Sequence, residues 1–218
     1  MASPGYFSLQ NIFSVAVRER CVVNLKSFKA PTSKLKHIPT KTAAVLIPIC
    51  GIEKVPSILY TVRSPNLKNH SGHISFPGGK TVKNETPVET ALRETEEEIG
   101  LSSSKIDVWG YGPAFPGRNN EIMITPVIGA IPKLTHMDLN VNYSEVSEVF
   151  SVPLDVLCNK DNHFHTQFKN NYILPVFVAE NYKIWGITAY LTHVFLSCLL
   201  PKEIYKNEWM KKKIVLSL

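Results

Sequence analysis

The 218-residue sequence has no apolar run approaching the eighteen or so residues needed to cross a bilayer. Its longest, Ala189 to Leu200, is interrupted by Thr192 and His193 and reads as a buried helix, so no membrane partner is expected. Cysteine is scarce and scattered. Cys21, Cys50, Cys158 and Cys198 form no C-x-x-C pair and fit reduced, mostly buried thiols better than a disulfide framework or a zinc site. His163-x-His165 stands alone and reads as part of a loop or edge strand rather than as a metal site. No internal repeat is present.

Acidic residues are nearly absent from the first 42 positions. Glu19 stands there against Arg18, Arg20, Lys26, Lys29, Lys34, Lys36 and Lys41. The formal net charge of the whole chain is +6, so this one segment holds the entire excess and the remainder is neutral. A neutral body excludes a basic nucleic-acid surface. The segment also lacks the long apolar stretch of a secretory signal; basic, serine-containing and acid-poor, residues 1–37 read as a leader of the mitochondrial transit type, with a disordered extension or a first helix of the domain as the alternatives. Leu216-Ser217-Leu218 misses the basic residue of the peroxisomal carboxy-terminal address.

What the chain does have is a cluster of carboxylates. Glu94, Glu97 and Glu98 fall at i,i+3 and i,i+4 spacing, so on a helix three like charges share one face. A solvated helix would interleave lysines, yet between Thr86 and Gly100 the sole basic residue is Arg93. Hard divalent cations prefer carboxylate oxygens, and the face reads as a metal platform. Local signals delimit the helix. Thr86 with Glu89 makes a capping box, Pro87 suits the first helical position, and Gly100 suits a left-handed terminator. Val88, Ala91, Leu92, Thr95 and Ile99 form its apolar stripe, with Thr95 expected to face the core and bond back to an i−4 carbonyl. Arg93, four residues before Glu97, is positioned to orient it, and Pro77-Gly78-Gly79 is a permissive turn upstream.

From Gly79 to Leu101 the spacing is Gly-x5-Glu-x7-Arg-Glu-U-x-Glu-Glu-x-Gly-U, U being a bulky aliphatic, with Gly79, Glu85, Arg93, Glu94, Glu97, Glu98 and Gly100 at the fixed positions and Thr95 at the first aliphatic one. This resembles the Nudix box, the signature of Nudix hydrolases. The resemblance implies an α/β/α sandwich with a mixed sheet. It also implies Mg²⁺ or Mn²⁺ held by Glu94, Glu97, Glu98 and Glu85, with Glu97, Arg93 and Glu94 as the catalytic group. Glu97 is the candidate general base, with Glu145 or Glu148 in reserve.

Leu59-Tyr60-Thr61-Val62-Arg63-Ser64, then Lys68, Gly72 and Phe76-Pro77-Gly78-Gly79, resembles the further signature of the coenzyme A pyrophosphatase branch, with Tyr60 in place of leucine and Lys68 in place of arginine. Lys68 keeps the charge but not the planar fork. Ser144 to Phe150 and Ile184 to Ala189 also resemble this branch, its animal mitochondrial members most closely. The implied activity is hydrolysis of the diphosphate of coenzyme A or acyl-coenzyme A, with Arg63, Lys68, Gly78 and Gly79 contacting substrate. NADH, ADP-ribose, or acyl-coenzyme A bound without turnover are the alternatives.

The implied organisation is a leader at 1–37, a hydrolase domain at 38–201 and a basic tail at 202–218, in a mitochondrial protein, with peroxisome or cytoplasm as alternatives. Strands are expected at Ala43–Ile49, Ser57–Arg63, His73–Phe76, Ile106–Gly112 and Ile122–Ile131. A turn is expected at Ser144–Phe150, a short helix at Pro153–Leu157, a hairpin across Tyr172–Trp185, and the second principal helix at Thr188–Leu199.

Overall fold

The computed structural model describes residues 5–30, 39–67, 71–117, 121–168, 173–206 and 208–214. It opens with two helices, α1 (Leu9–Ile12) and α2 (Val15–Ser27), each started by a serine hydroxyl that accepts a backbone N–H two to three residues inside. Strands β1 (Lys41–Ile52), β2 (Val55–Arg63), β3 (Ile74–Ser75) and β4 (Gly78–Lys80) precede helix α3 (Pro87–Ile99). After it come β5 (Asp107–Tyr111), β6 (Phe115–Pro116), β7 (Ile122–Ile131), β8 (Val146–Pro153), and then α4 (Leu154–Cys158). The chain continues through β9 (His163–Gln167), β10 (Ile173–Ala179), β11 (Tyr182–Ile184) and α5 (Gly186–Leu199).

Among the described residues β1 to β8 form one sheet whose backbone order is β3-β2-β1-β7-β5, with β4 on β1, β6 on β7 and β8 on β2. The pairing of β1 with β7 is parallel and the rest is antiparallel, so the sheet is mixed, as the sequence implied. Strands β11, β10 and β9 make a second, smaller sheet with β9 at its edge.

Both faces of the large sheet are covered, which is why its central strands read as continuous apolar runs instead of alternating ones. The period of two still sorts the side chains. Ala44, Leu46, Leu59 and Val127 turn to the α3 face with Ala91, Ile99 and Leu101. Ile47, Ile49, Ile58, Tyr60 and Ile128 turn to the other face, into a larger cluster with Phe177, Leu191, Phe195 and Leu199.

Two expectations are corrected. Val146–Pro153 is a strand paired to β2 from Ser57↔Pro153 to Arg63↔Val146, not a turn. Its alternation is broken by the exposed Ser147 and Glu148, so no period of two announced it. There are also three long helices where two were expected, and the third, α2, lies within residues 1–37. Val17, Cys21 and Leu25 of α2 are buried in the larger cluster. Arg20 donates to the Leu199 carbonyl at 2.8 Å and Asn24 to the Cys198 carbonyl at 3.0 Å, so α2 satisfies the open carbonyl end of α5.

At the far end of the same cluster His193, His163, Tyr205 and Trp209 pack ring on ring, with His193 Nδ1 2.9 Å from the Tyr205 hydroxyl. Burial, reinforced by the neighbouring His163, pushes His193 down to about 4, and burial lowers His163 as well. A histidine kept neutral in the fold binds its proton more readily when unfolded. For His193, stability therefore falls as pH drops from about 6.5 towards 4, by up to about 1.4 kcal/mol per unit. The expected result is a melting temperature that declines through this window, with a shallower slope in His193→Gln.

Candidate active site

The site is assembled around α3. Thr86 Oγ1 accepts the Glu89 N–H while Glu89 Oε2 accepts the Thr86 N–H at 2.7 Å, so the expected capping box is present. Gly100 closes the helix at φ 67°, and Thr95 is buried with its hydroxyl on the Ala91 carbonyl at 2.6 Å. This fixes the rotation of the helix and turns Glu94, Glu97 and Glu98 away from the apolar stripe.

Against that face lies the backbone of β4, paired to β1 with Val45↔Gly78 and Ala44↔Gly79 and in contact with α3. The two glycines permit this for different reasons. Gly78 has φ 152°, and a Cβ there would stand 2.4 Å from the Ala44 carbonyl oxygen. At Gly79 a Cβ would stand 2.3 Å from the Glu94 carboxylate. The Gly79 clash is with the end of a mobile side chain, so Gly79→Ala is expected to displace Glu94 rather than unfold the protein. Turnover should fall roughly tenfold to a hundredfold with little change in melting temperature, as a carboxylate pushed about 1 Å out of place predicts. Steady-state kinetics beside thermal unfolding checks this.

The carboxylates occupy unequal environments. Glu98 is 3% exposed. Its Oε2 accepts the Gly78 N–H at 3.1 Å and its Oε1 lies 3.6 Å from Arg63 Nη1. Burial raises its carboxyl to about 7; the Gly78 N–H and Arg63 oppose the rise, and the charges of Glu94 and Glu145 add to it. Glu97 is about half exposed and tied by its Oε2 to Arg93 Nη1 at 3.0 Å. Glu94 Oε1 meets the same nitrogen at 2.9 Å. Both oxygens of Glu85 are taken: Oε1 by Arg93 Nε at 2.6 Å, and Oε2 by Arg93 Nη2, Thr90 Oγ1 and the Val82 N–H. Hydrogen bonding from Arg93 is the main reason Glu85 falls to about 2. Arg93 is thus a hub that holds Glu85, Glu94 and Glu97 at once.

Among the described residues, no three histidine, cysteine or acidic side chains converge on one point as a finished metal cage. The arrangement accounts for this, because Arg93 draws Glu94 and Glu97 to one side while Arg63 faces Glu98. The donor chemistry nonetheless fits a hard cation: a buried carboxylate with one N–H donor, whose charge environment also includes the carboxylates of Glu94 and Glu145.

Arg63, Gly78 and Gly79 lie against the carboxylates; Lys68 lies outside the described residues. The reserve residues separate. Glu145, on a loop anchored by the Ser64 N–H on its carbonyl at 2.8 Å, adds its charge to the environment of Glu98. Glu148 instead hydrogen-bonds the Tyr182 hydroxyl on β11. Sequence reasoning missed the part played by Asn140 and Asn142. Their N–H groups bond the Ile99 and Glu98 carbonyls at 2.8 and 3.0 Å and dock the Glu145 loop on the end of α3. Two asparagines signal a turn, but nothing local says which helix end the turn will cover.

A family profile described as NUDIX domain matches residues 40–172. The human protein named mitochondrial coenzyme A diphosphatase NUDT8 is 39% identical over 177 residues, spanning 78% of this chain and 74% of that protein. The mouse protein named peroxisomal coenzyme A diphosphatase NUDT7 is 31% identical over 181 residues, spanning 78% of this chain and 75% of its own. Among solved structures, the Nudix hydrolase RenU of M. smegmatis superposes with a TM-score of 0.45 at 24% identity, over 52% of this chain and 71% of that one.

Proposed function

The chain belongs to the NUDIX family of hydrolases, and from that premise we propose that it hydrolyses the diphosphate of coenzyme A and acyl-coenzyme A, giving 3′,5′-ADP and 4′-phosphopantetheine or its acyl form. The observation that carries the reading is the contact between Arg63 of the second motif and Glu98 of the first, which puts an anion-binding side chain against the carboxylate face. The relatives named as coenzyme A diphosphatases support the same substrate.

In this reading Glu98 and Glu94 hold Mg²⁺ or Mn²⁺ with Glu97 beside them. The bound metal supplies neutralisation of charge on the diphosphate and acidification of a water. Glu97, the most exposed of the three, takes a proton from the attacking water, and Arg93 fixes its carboxylate from four residues upstream. Glu85 acts through Arg93, since both of its oxygens are occupied by donors. The backbone of Gly78 and Gly79 forms the floor against which the substrate phosphates lie, bare of side chains because of the close approaches on either side. Glu145 is the second carboxylate within the field of Glu98 and completes the acidic rim. The proposed compartment is the mitochondrion, supported by the relative named as a mitochondrial coenzyme A diphosphatase.

A turnover panel of coenzyme A, NADH and ADP-ribose, each with Mg²⁺ and with Mn²⁺, tests the substrate. Release of 3′,5′-ADP and 4′-phosphopantetheine is expected to dominate. Fast cleavage of NADH or ADP-ribose with coenzyme A left intact would replace this reading with a nucleotide pyrophosphatase, and binding of acyl-coenzyme A without any cleavage would make the protein a binder.

A further inference from the structure

Two arginines meet the carboxylate cluster, and they are held in opposite ways. Arg93 makes short bonds of 2.6 to 3.2 Å with Glu85, Glu94, Glu97 and the Lys80 carbonyl, which lock the guanidinium. Arg63 approaches Glu98 only to 3.6 Å, well beyond the 2.7 to 2.9 Å of a charge-assisted hydrogen bond. Its Nε is buried without a hydrogen-bond partner among the described residues, an expensive state for a charged donor. Its backbone is nevertheless fixed. The Arg63 N–H donates to the His73 carbonyl and the Gly72 N–H to the Arg63 carbonyl, both at 3.0 Å, where the β2–β8 register shifts between Val62 and Arg63. A rigid backbone thus carries a poorly satisfied side chain, so the side chain is the part that can move.

Glu98, for its part, needs a cation. It is buried, one oxygen has a single N–H donor, and Glu94 and Glu145 add charge of the same sign. Without a metal, the cation facing its free oxygen is Arg63.

We propose that Arg63 is a stand-in cation that yields Glu98 to a divalent ion and turns its guanidinium, with the unsatisfied Nε, onto a substrate phosphate. Cation and phosphate thereby bind cooperatively through one side chain. The exchange keeps every charge compensated. Beside a divalent ion the guanidinium meets repulsion instead of attraction, and a phosphate offers the planar fork two acceptors that Glu98 presents poorly. The inference rests on the site being a divalent-cation and diphosphate site, and it adds that Arg63 opposes the metal until an anion is present.

The test is Mn²⁺ binding by the full chain at pH 8, followed by the electron paramagnetic resonance of free Mn²⁺, with 3′,5′-ADP as the anion probe. Arg63→Gln is expected to bind Mn²⁺ about tenfold more tightly than wild type when no anion is present, the usual scale of a coupling between two sites. Arg63→Lys, which keeps the charge, should stay near wild type and serves as the folded control. In a Glu98→Gln background the arginine substitution should have no effect on Mn²⁺. In wild type Mn²⁺ should strengthen 3′,5′-ADP binding, and in Arg63→Gln most of that gain should vanish. Equal or weaker Mn²⁺ binding by Arg63→Gln, or a gain that persists without Glu98, would overturn the exchange even if coenzyme A is cleaved. Failure to cleave coenzyme A with the Mn²⁺ effects intact would overturn the substrate reading alone. If Arg63→Gln does not fold, the wild-type cycle decides: 3′,5′-ADP affinity indifferent to Mn²⁺ overturns the exchange.

Discussion

Glu98→Gln is expected to lower metal-dependent turnover by about a thousandfold or more, a larger loss than any other single change at the site. The substitution removes the buried carboxylate facing the cation position but keeps an acceptor for the Gly78 N–H, so the local backbone has no reason to move. Burying a charge is costly and burying an amide with one partner far less so. Melting temperature measured in chelator should therefore hold or rise in the variant. This combination separates a chemical role from a structural one. Turnover near wild type would remove Glu98 from the metal set, and a collapse of stability would show that its charge supports the fold. Glu97→Gln, at a half-exposed position, should lose activity without any effect on stability, and comparing the two ranks carboxylates that share one helix face.

Deleting residues 1–28 is expected to have the largest effect on stability. The deletion removes Ile12, Val17, Cys21 and Leu25, all fully or nearly buried, and exposes the surfaces of α5 and β5 that α2 covers and of β2 that α1 covers. At roughly 1.5–3 kcal/mol for each large apolar side chain the loss is comparable with the whole stability of a domain, about 5–15 kcal/mol. It also leaves the Cys198 and Leu199 carbonyls without the donors of Asn24 and Arg20, and Asp107 without its ion pair to Arg18. The truncated chain should be insoluble, or should melt far below the full chain, whereas Leu25→Ala should cost a smaller 2–5 kcal/mol. A truncated protein with an unchanged melting temperature would mean that α1 and α2 are not needed by the domain. The result bears on the basic segment 1–37, because a mature form lacking α2 would also lack part of its core.

The legible parts of this protein are those whose causes lie within a few residues. The capping box at Thr86, the start at Pro87, the left-handed stop at Gly100, the back-bonded Thr95 and the grip of Arg93 on Glu97 all follow from i,i+3 and i,i+4 relations, and all are found where the sequence put them. Strand β8 was misread because its exposed Ser147 and Glu148 broke the period, and it is a strand only because β2 is there to pair with it. The composition of α2, with three basic residues to one acid and an apolar stripe reduced to Val17, Cys21 and Leu25, resembles that of a leader. Its burial comes from α5, some 170 residues later in the chain. The surroundings of Glu85 are a further case: the family resemblance grouped it with the metal carboxylates, and only the fold shows that Arg93 Nε and Nη2, Thr90 Oγ1 and the Val82 N–H all donate to it.

By itself the sequence determined the carboxylate face, its helix, the glycine turn opposite it and the family, because helix periodicity and turn chemistry are local properties of the chain. Only the tertiary structure decided that Arg63 faces Glu98, that Glu148 bonds Tyr182 while Glu145 adds its charge to Glu98, and that α2 is part of the core. Each of those depends on which strands pair and which helices pack, and closing such long loops is governed by burial summed over the whole domain, which no local pattern records.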